Sequence, residues 1–178
     1  MKKLQLPLSN EEIENLKCGD AVLISGTVYT ARDAAHARMA AGMQHGKNPP
    51  FDLKKACIFY TGPCPAKPGH AIGSCGPTTS KRMDSYAPLL YSRGVQCVLG
   101  KGPVGGEVKR SIVENGCVYF TLTGGAGALL AQSVKSSELI AYEDLGTEAV
   151  RRLHVENMPA TVAVDAKGND IFDLKIEN

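Results

Sequence analysis

Arg32 in the segment TARD, Arg82 (with Lys81 beside it) in GPTTSKR, and Lys101 in GKG are the residues best suited to a shared chemistry. An arginine presents a planar fork to a carboxylate and a lysine a compact point charge, so this set suits a small polyanion. Glycines beside them, Gly76 included, would let backbone N–H groups approach such a ligand, and a helix start would add partial positive charge. The competing reading is three solvated surface cations, and spacing alone leaves both open.

Thr78 and Thr79 face a similar choice. As helix caps they need no further explanation. As proton-transfer groups they would need a neighbouring carboxylate or strong polarisation, because a threonine hydroxyl is a poor base at neutral pH, and the adjacent sequence offers no evident base. GKGPVG, residues 100–105, has the form G-x-G-x-x-G between a strand and a helix. A dinucleotide site wants an acidic residue about 20 positions on, however, and the sequence there reads TLTGGAG. The motif alone therefore supports a nucleotide- or anion-binding module only weakly. Metal chemistry has less support: Cys64, His70 and Cys75 share one loop without a fourth ligand, and His36, His45 and His154 read as ordinary surface or half-buried residues.

The elements that must position these residues read as alternating β and α. Ser9 suits the N-cap of a helix over EEIENL, and AVLISGTVY reads as a strand. Thr30 and Asp33 have capping-box spacing for a helix stopping near Gly42, which would put Arg32 in its first turn. ACIFYT reads as a strand, GPCPAKPGHAIGSCGP as a long loop, and Met83, Tyr86, Leu89 and Leu90 as one face of a helix that starts at Thr78 or Thr79 and ends at Gly94. VQCVLG, EVKRSIVEN, CVYFTL and GALLAQSV then read as strand, helix, strand, helix. ELIAYED, RRLHVEN, TVAVD and DIFDLKI read as further strands, with a brief helical piece around TEAV. If the middle strands are parallel, the loops at their C-terminal ends gather the cations on one edge.

The expected fold is a single α/β domain over residues 1–178 in two or three layers. A chain of 178 residues with 43% hydrophobic content suffices for one core. Twenty basic residues against 18 acidic ones, with no basic run and 6% aromatics, speak against nucleic acid. MKKLQLPLSNEE reads as neither a signal peptide nor a membrane anchor, and six scattered cysteines suit free thiols, so a cytoplasmic protein is expected.

GPTTSKRMDSY, taken with ISGTVYTARDAAHARM, YTGPCPAKPGHAIGSCGP, LGKG and PATVAVDAKGND, resembles the β subunit of class I iron–sulfur fumarate hydratases, equivalent to the C-terminal domain of the single-chain enzymes. The resemblance covers nearly the whole chain. It extends to the L(+)-tartrate dehydratase β subunit, although the Y-x-GP loop and MDSY favour the fumarase branch. It implies a swivelling β/β/α fold with a partly parallel central sheet, and reversible hydration of fumarate to L-malate. It also implies a [4Fe-4S] cluster carried by a partner α subunit, with no metal bound by this chain. The same resemblance makes Arg32, Arg82 and Lys101 substrate-carboxylate contacts, puts Gly76 and Thr79 beside them, and gives Thr78 a part in proton transfer.

Overall fold

Strand and helix alternate through residues 1–173, the part of the chain that this computed structural model describes. The strands are β1 (Lys2–Gln5), β2 (Ala21–Thr30), β3 (Cys57–Phe59), β4 (Cys97–Gly100), β5 (Val118–Thr121), β6 (Val134–Ala141) and β7 (Val150–Val164). The helices are α1 (Asn10–Asn15), α2 (Asp33–Gln44), α3 (Ala87–Ser92), α4 (Gly106–Asn115) and α5 (Gly127–Gln132), with 3-10 segments at Ser80–Met83 and Glu143–Glu148. None of the described helices is long and apolar enough to cross a membrane.

The strands form one seven-stranded sheet in the order β1-β2-β3-β4-β5-β7-β6. Strands β1 to β5 are mutually parallel, and β7 runs antiparallel to β2, β5 and β6. Because β7 pairs with both β2 and β5, the ladder returns on itself through β2, β3, β4, β5 and β7. That circuit divides the apolar residues by strand alternation. Ile24, Phe59, Leu99 and Phe120 join one buried cluster, while Ile58, Val98 and Tyr119 join a second with Ala35 and Met39 of α2, Leu90 of α3 and Ile112 of α4. The expected layered α/β architecture is therefore present, and its parallel strands bring the loops after β2, β3, β4 and β5 to one edge.

Several local signals act as expected. Ser9 and Glu12 form a reciprocal capping box at α1. Gly116, left-handed at φ 61°, ends α4. Other expectations are corrected. Thr30 does not cap α2: it ends β2, its hydroxyl donates to Ala149 O at 3.2 Å and accepts the Arg151 N–H at 2.9 Å. Arg32 occupies the N-cap position without a side-chain cap, and α2 runs past Gly42 to Gln44. The single helix expected from Thr78 or Thr79 to Gly94 is two pieces, the 3-10 turn Ser80–Met83 and then α3. Pro88 supplies the reason, since a continuous helix would need an N–H there to reach back four residues. Thr79 precedes the 3-10 turn but makes no side-chain cap bond.

Towards the end of the chain, α5 stops at Gln132 and Val134 already begins β6. RRLHVEN and TVAVD, read as separate strands, are one 15-residue strand through Pro159. On the edge of β7 shared by β6 and β5, pairing ends at Val155 and resumes at Thr161, so a proline between them interrupts no ladder. The strand expected at DIFDLKI is, where described, a bridge from Asp170 to Val164 followed by a turn; its last residues lie outside the described part. β1, which the sequence reading did not identify, joins the sheet parallel to β2.

Candidate functional site

The GPTT segment threads between two strand ends. The Thr78 N–H donates to Tyr60 O just past β3 at 2.7 Å, Thr79 bridges in parallel to Lys101 just past β4, and the Ser80 N–H donates to Lys101 O at 2.8 Å. Gly76 is fixed beside them, its carbonyl accepting the Thr61 hydroxyl at 2.7 Å. The long loop between Gly62 and Gly76 folds back on itself, with Cys64 N–H donating to Ser74 O at 2.9 Å and Gly73 N–H to Cys64 O at 3.1 Å. Thr78 is half-buried and Thr79 exposed.

A hydroxyl pair that sequence reasoning missed supports Lys101. Its N–H donates to Ser80 Oγ at 3.0 Å, Ser80 Oγ lies 2.8 Å from Tyr119 Oη, and Tyr119 donates to Gly102 O at 2.7 Å. Tyr119 spends its one proton on Gly102, so Ser80 donates to Tyr119; every group in the chain is satisfied. Burial pushes the Tyr119 phenol up to about 12, so it stays a donor at neutral pH. This network accounts for the glycines of GKGPVG. A Cβ at Gly100 would stand 2.0 Å from Ser80 Oγ, and Gly102 has φ +77°. Gly105 gives its N–H to Asp84 Oδ2 at 2.8 Å, and a Cβ there would meet that same oxygen at 2.7 Å. All three have structural duties independent of any nucleotide.

Arg32 and Arg82 meet across Asp33. Arg82 donates through Nε to Asp33 Oδ2 at 2.7 Å and its Nη2 stands in ion-pair contact with the same oxygen at 2.7 Å, which leaves the Nη1 side of its guanidinium for a ligand. Arg32 Nε lies 3.7 Å from Glu148 Oε1 and 3.9 Å from Asp33 Oδ1. Its Cδ and Nη1 pass 3.0 and 3.2 Å from where a Cβ of Gly62 would be. Lys101 lays its stem along Gly124, whose Cβ would fall 2.9 Å from Lys101 Cδ, and the ion pairs among the described residues do not include it. The structure thus brings the expected residues together in two groups joined by the end of β3. Gly62 touches Arg32, and Tyr60 holds Thr78.

His36 is not a surface or half-buried residue; it is fully buried. Its Nδ1 lies 2.9 Å from Arg32 O and so carries the proton, while Nε2 has no partner and the ring stands edge-on to Tyr60 with centroids 5.1 Å apart. Burial lowers its pKa to about 4, so the ring is neutral at physiological pH. A histidine lowered from 6.5 to about 4 binds its proton more readily in the unfolded chain across that window. Stability should therefore fall as pH drops from 6.5 towards 4, by about 1.4 kcal/mol per unit and roughly 3 kcal/mol in all. In His36→Asn, whose amide can donate from nearly the Nδ1 position, that slope should flatten. Urea melts of both proteins at pH 7 and pH 5 measure it, and equal slopes would contradict the assignment.

The six cysteines are free, and Cys57, Cys75, Cys97 and Cys117 are buried. Burial pushes the Cys75 thiol up to about 11 and Cys117 up to about 12, so both are protonated and unreactive at neutral pH. Cys57 and Cys97 face each other in register across β3 and β4, inside the apolar cluster. Among the described residues, no group of three or more His, Cys, Asp and Glu is placed to hold a metal ion. This donor set does not fit an iron–sulfur cluster.

An edge of parallel strands that presents arginines, a lysine and a threonine has the form of a binding site for a small anion. The Fumarase C-terminus family model matches residues 1–175, and the chain belongs to that family. It is 38% identical over 164 residues to "Fumarate hydratase 2" of Leishmania major, covering 91% of this chain and 29% of that protein. It is 41% identical over 151 residues to "Fumarate hydratase class I, aerobic" of Escherichia coli K12, covering 84% and 28%. With the "Putative L(+)-tartrate dehydratase subunit beta" of Methanocaldococcus jannaschii it shares 36% identity over 172 residues, 93% of this chain and 88% of that protein. The chain thus spans less than a third of the two fumarate hydratases but most of the third relative.

Proposed function

We propose that this chain is the β subunit of a two-chain hydro-lyase that reversibly hydrates fumarate to L-malate. It would supply the carboxylate-binding cations and a proton-transfer threonine to a site completed by a partner α subunit. The observation that carries this reading is the single edge on which Arg32, Asp33 and Arg82 adjoin the Thr78–Lys101 group, in a chain of the Fumarase C-terminus family. We assign the [4Fe-4S] cluster to the partner, because this chain's thiols do not suit it, and the steps below use only this chain's residues. The swivelling β/β/α arrangement belongs to the same reading: the domain would turn as a body to close its edge against the α subunit. Free thiols agree with a cytoplasmic setting.

Arg82, through its Nη1 side, and Arg32 and Lys101 would hold the two carboxylates, placing the carbon that exchanges a proton against Thr78 Oγ1. In the dehydration direction, Thr78 takes the proton from the carbon next to the carbinol. The electron pair left behind spreads into the adjoining carboxylate as an aci-carboxylate anion, and the nearby guanidinium and ammonium charges stabilise it. The base that relieves Thr78 of its proton, and the groups that break the C–O bond, come from the partner. Substrate class has one rival: the relative of nearly equal length is named for tartrate, and a tartrate or related hydroxy acid would present the same carboxylates to the same cations. A stand-alone nucleotide module is less well supported, since the GKGPVG glycines are structurally committed.

The purified chain alone should be colourless and inactive. Mixed with a cluster-bearing α subunit, it should interconvert fumarate and malate faster than it dehydrates tartrate, assayed side by side. Stoichiometric iron with an iron–sulfur absorption band and hydratase activity in this chain alone would overturn the two-subunit reading. Faster turnover of tartrate would transfer the assignment to that substrate.

A further inference from the structure

We propose that Glu148, from the 3-10 segment between β6 and β7, is a positioning residue that sets the Arg32 guanidinium for a substrate carboxylate; this rests on the reading of Arg32 given above. Arg32 leaves β2 at the start of α2 with its main chain already held, since its carbonyl accepts both the N–H and the Nδ1–H of His36, at 2.9 Å each. Its side chain is less constrained. The Nε atom is buried and has no hydrogen-bond partner, and two carboxylate oxygens stand near it, Glu148 Oε1 at 3.7 Å and Asp33 Oδ1 at 3.9 Å.

Those two oxygens differ in what else they serve. Asp33 is already bound to Arg82 through Oδ2, and its Oδ1 is itself buried without a partner. Glu148 lies on the opposite connection, next to Thr147, whose carbonyl would be 3.1 Å from a Cβ at Gly62, the same spot that Arg32 Cδ and Nη1 flank. With Glu148 in place, Nε is shared between the two carboxylates. Without its charge, Nε turns to the unsatisfied Asp33 Oδ1, and the guanidinium swings towards Arg82.

Glu148 also reaches the start of α2. Its Oε1 accepts the Ala34 N–H at 3.4 Å, supplying the start of α2 with an acceptor that its N-cap side chain does not. The segment that carries it is tied to the same helix by two hydrogen bonds from Arg38 to Asp144, at 2.8 and 2.7 Å, and by Arg38 over the Tyr142 ring at 4.8 Å. One carboxylate thus registers both the helix start and the arginine beside it, across a sequence separation of more than a hundred residues.

Two effects of removing the charge oppose each other. Loss of a negative group near the site favours a dianion, whereas misplacing a guanidinium weakens a directional grip on a carboxylate. The second should dominate. In the enzyme assembled with its partner, Glu148→Gln, which retains an acceptor for Ala34, should raise KM for the dicarboxylate about tenfold while kcat stays within about threefold. A purely structural brace would lower the amount of active enzyme, and so the apparent kcat, and leave KM unchanged. In an Arg32→Lys background, which has no Nε–H to orient, Glu148→Gln should change KM less than about twofold. If Glu148→Gln does not assemble, Glu148→Asp, which withdraws the carboxylate by one methylene, is read in the same way. An unchanged or lowered KM, or a tenfold rise that persists in the Arg32→Lys background, would overturn the role of Glu148 alone. A wild-type assembly that turns over neither dicarboxylates nor hydroxy acids would overturn the functional reading beneath it, and the inference with it.

Discussion

Thr78→Ala in the assembled enzyme should lower kcat by about 10²- to 10⁴-fold, the range of a positioned proton-transfer group, and leave KM within a few-fold. The substitution removes a half-buried hydroxyl but keeps the main-chain N–H that binds Tyr60 O at 2.7 Å, so the threaded GPTT segment should stay in place. Thr78→Ser, which restores the hydroxyl, should recover most of the loss. Thr79→Ala provides the comparison. Thr79 is exposed and makes no cap bond, so its replacement should change stability by less than about 0.5 kcal/mol. Steady-state rates in both directions and a thermal melt of each variant decide the matter. Unchanged turnover in Thr78→Ala would reduce that threonine to a loop residue.

Arg82→Lys should cost about tenfold to several hundredfold in kcat/KM. Lysine keeps the charge but replaces a planar fork by one ammonium, losing at least one charge-assisted hydrogen bond of about 1.5–3 kcal/mol and shifting the dicarboxylate. The position of Asp33 sharpens this expectation. Nε of Arg82 donates to Asp33 Oδ2 and Nη2 contacts the same oxygen, so Nη1 is the nitrogen left for substrate. An ammonium drawn to Asp33 would have no second arm for substrate. The exposed pair itself contributes little to stability, about 0.2–1 kcal/mol, so a fall in activity should not be mirrored in the melting temperature. Arg93→Lys, at the exposed C-cap of α3, is the control and should be nearly silent. If Arg82→Lys assembles normally with near-wild-type kcat/KM, Arg82 is not a carboxylate ligand, and its place reverts to helix-like surface.

Much of the candidate site was legible because its parts announce themselves within a few residues. Cations at the ends of β-favouring runs, glycines around GPTT and GKG, and strand–helix alternation together imply parallel strands with a common edge, and that edge holds Arg32, Thr78, Arg82 and Lys101. Capping at Ser9 and the left-handed stop at Gly116 are likewise decided over four or five residues, and both appear as expected. The helix expected after GPTT is broken by an equally local signal, the missing N–H of Pro88.

What only the tertiary structure decided depends on residues far apart in the chain. The sequence by itself determined the α/β class, the family and the identity of the cations. It could not show that β7 closes the sheet against β2, because a run of apolar residues carries no address for its partner. Nor could it show that Thr30 binds Ala149 and Arg151 instead of capping α2, that Ser80 and Tyr119 support Lys101, or that His36 is buried behind Arg32. The same holds for Asp33 and Glu148, whose spacing from Arg82 and Arg32 has no helical or strand period. Each such contact is made only after a long loop has closed, and the free energy that closes it comes from burying the shared apolar core, not from the two residues that then meet.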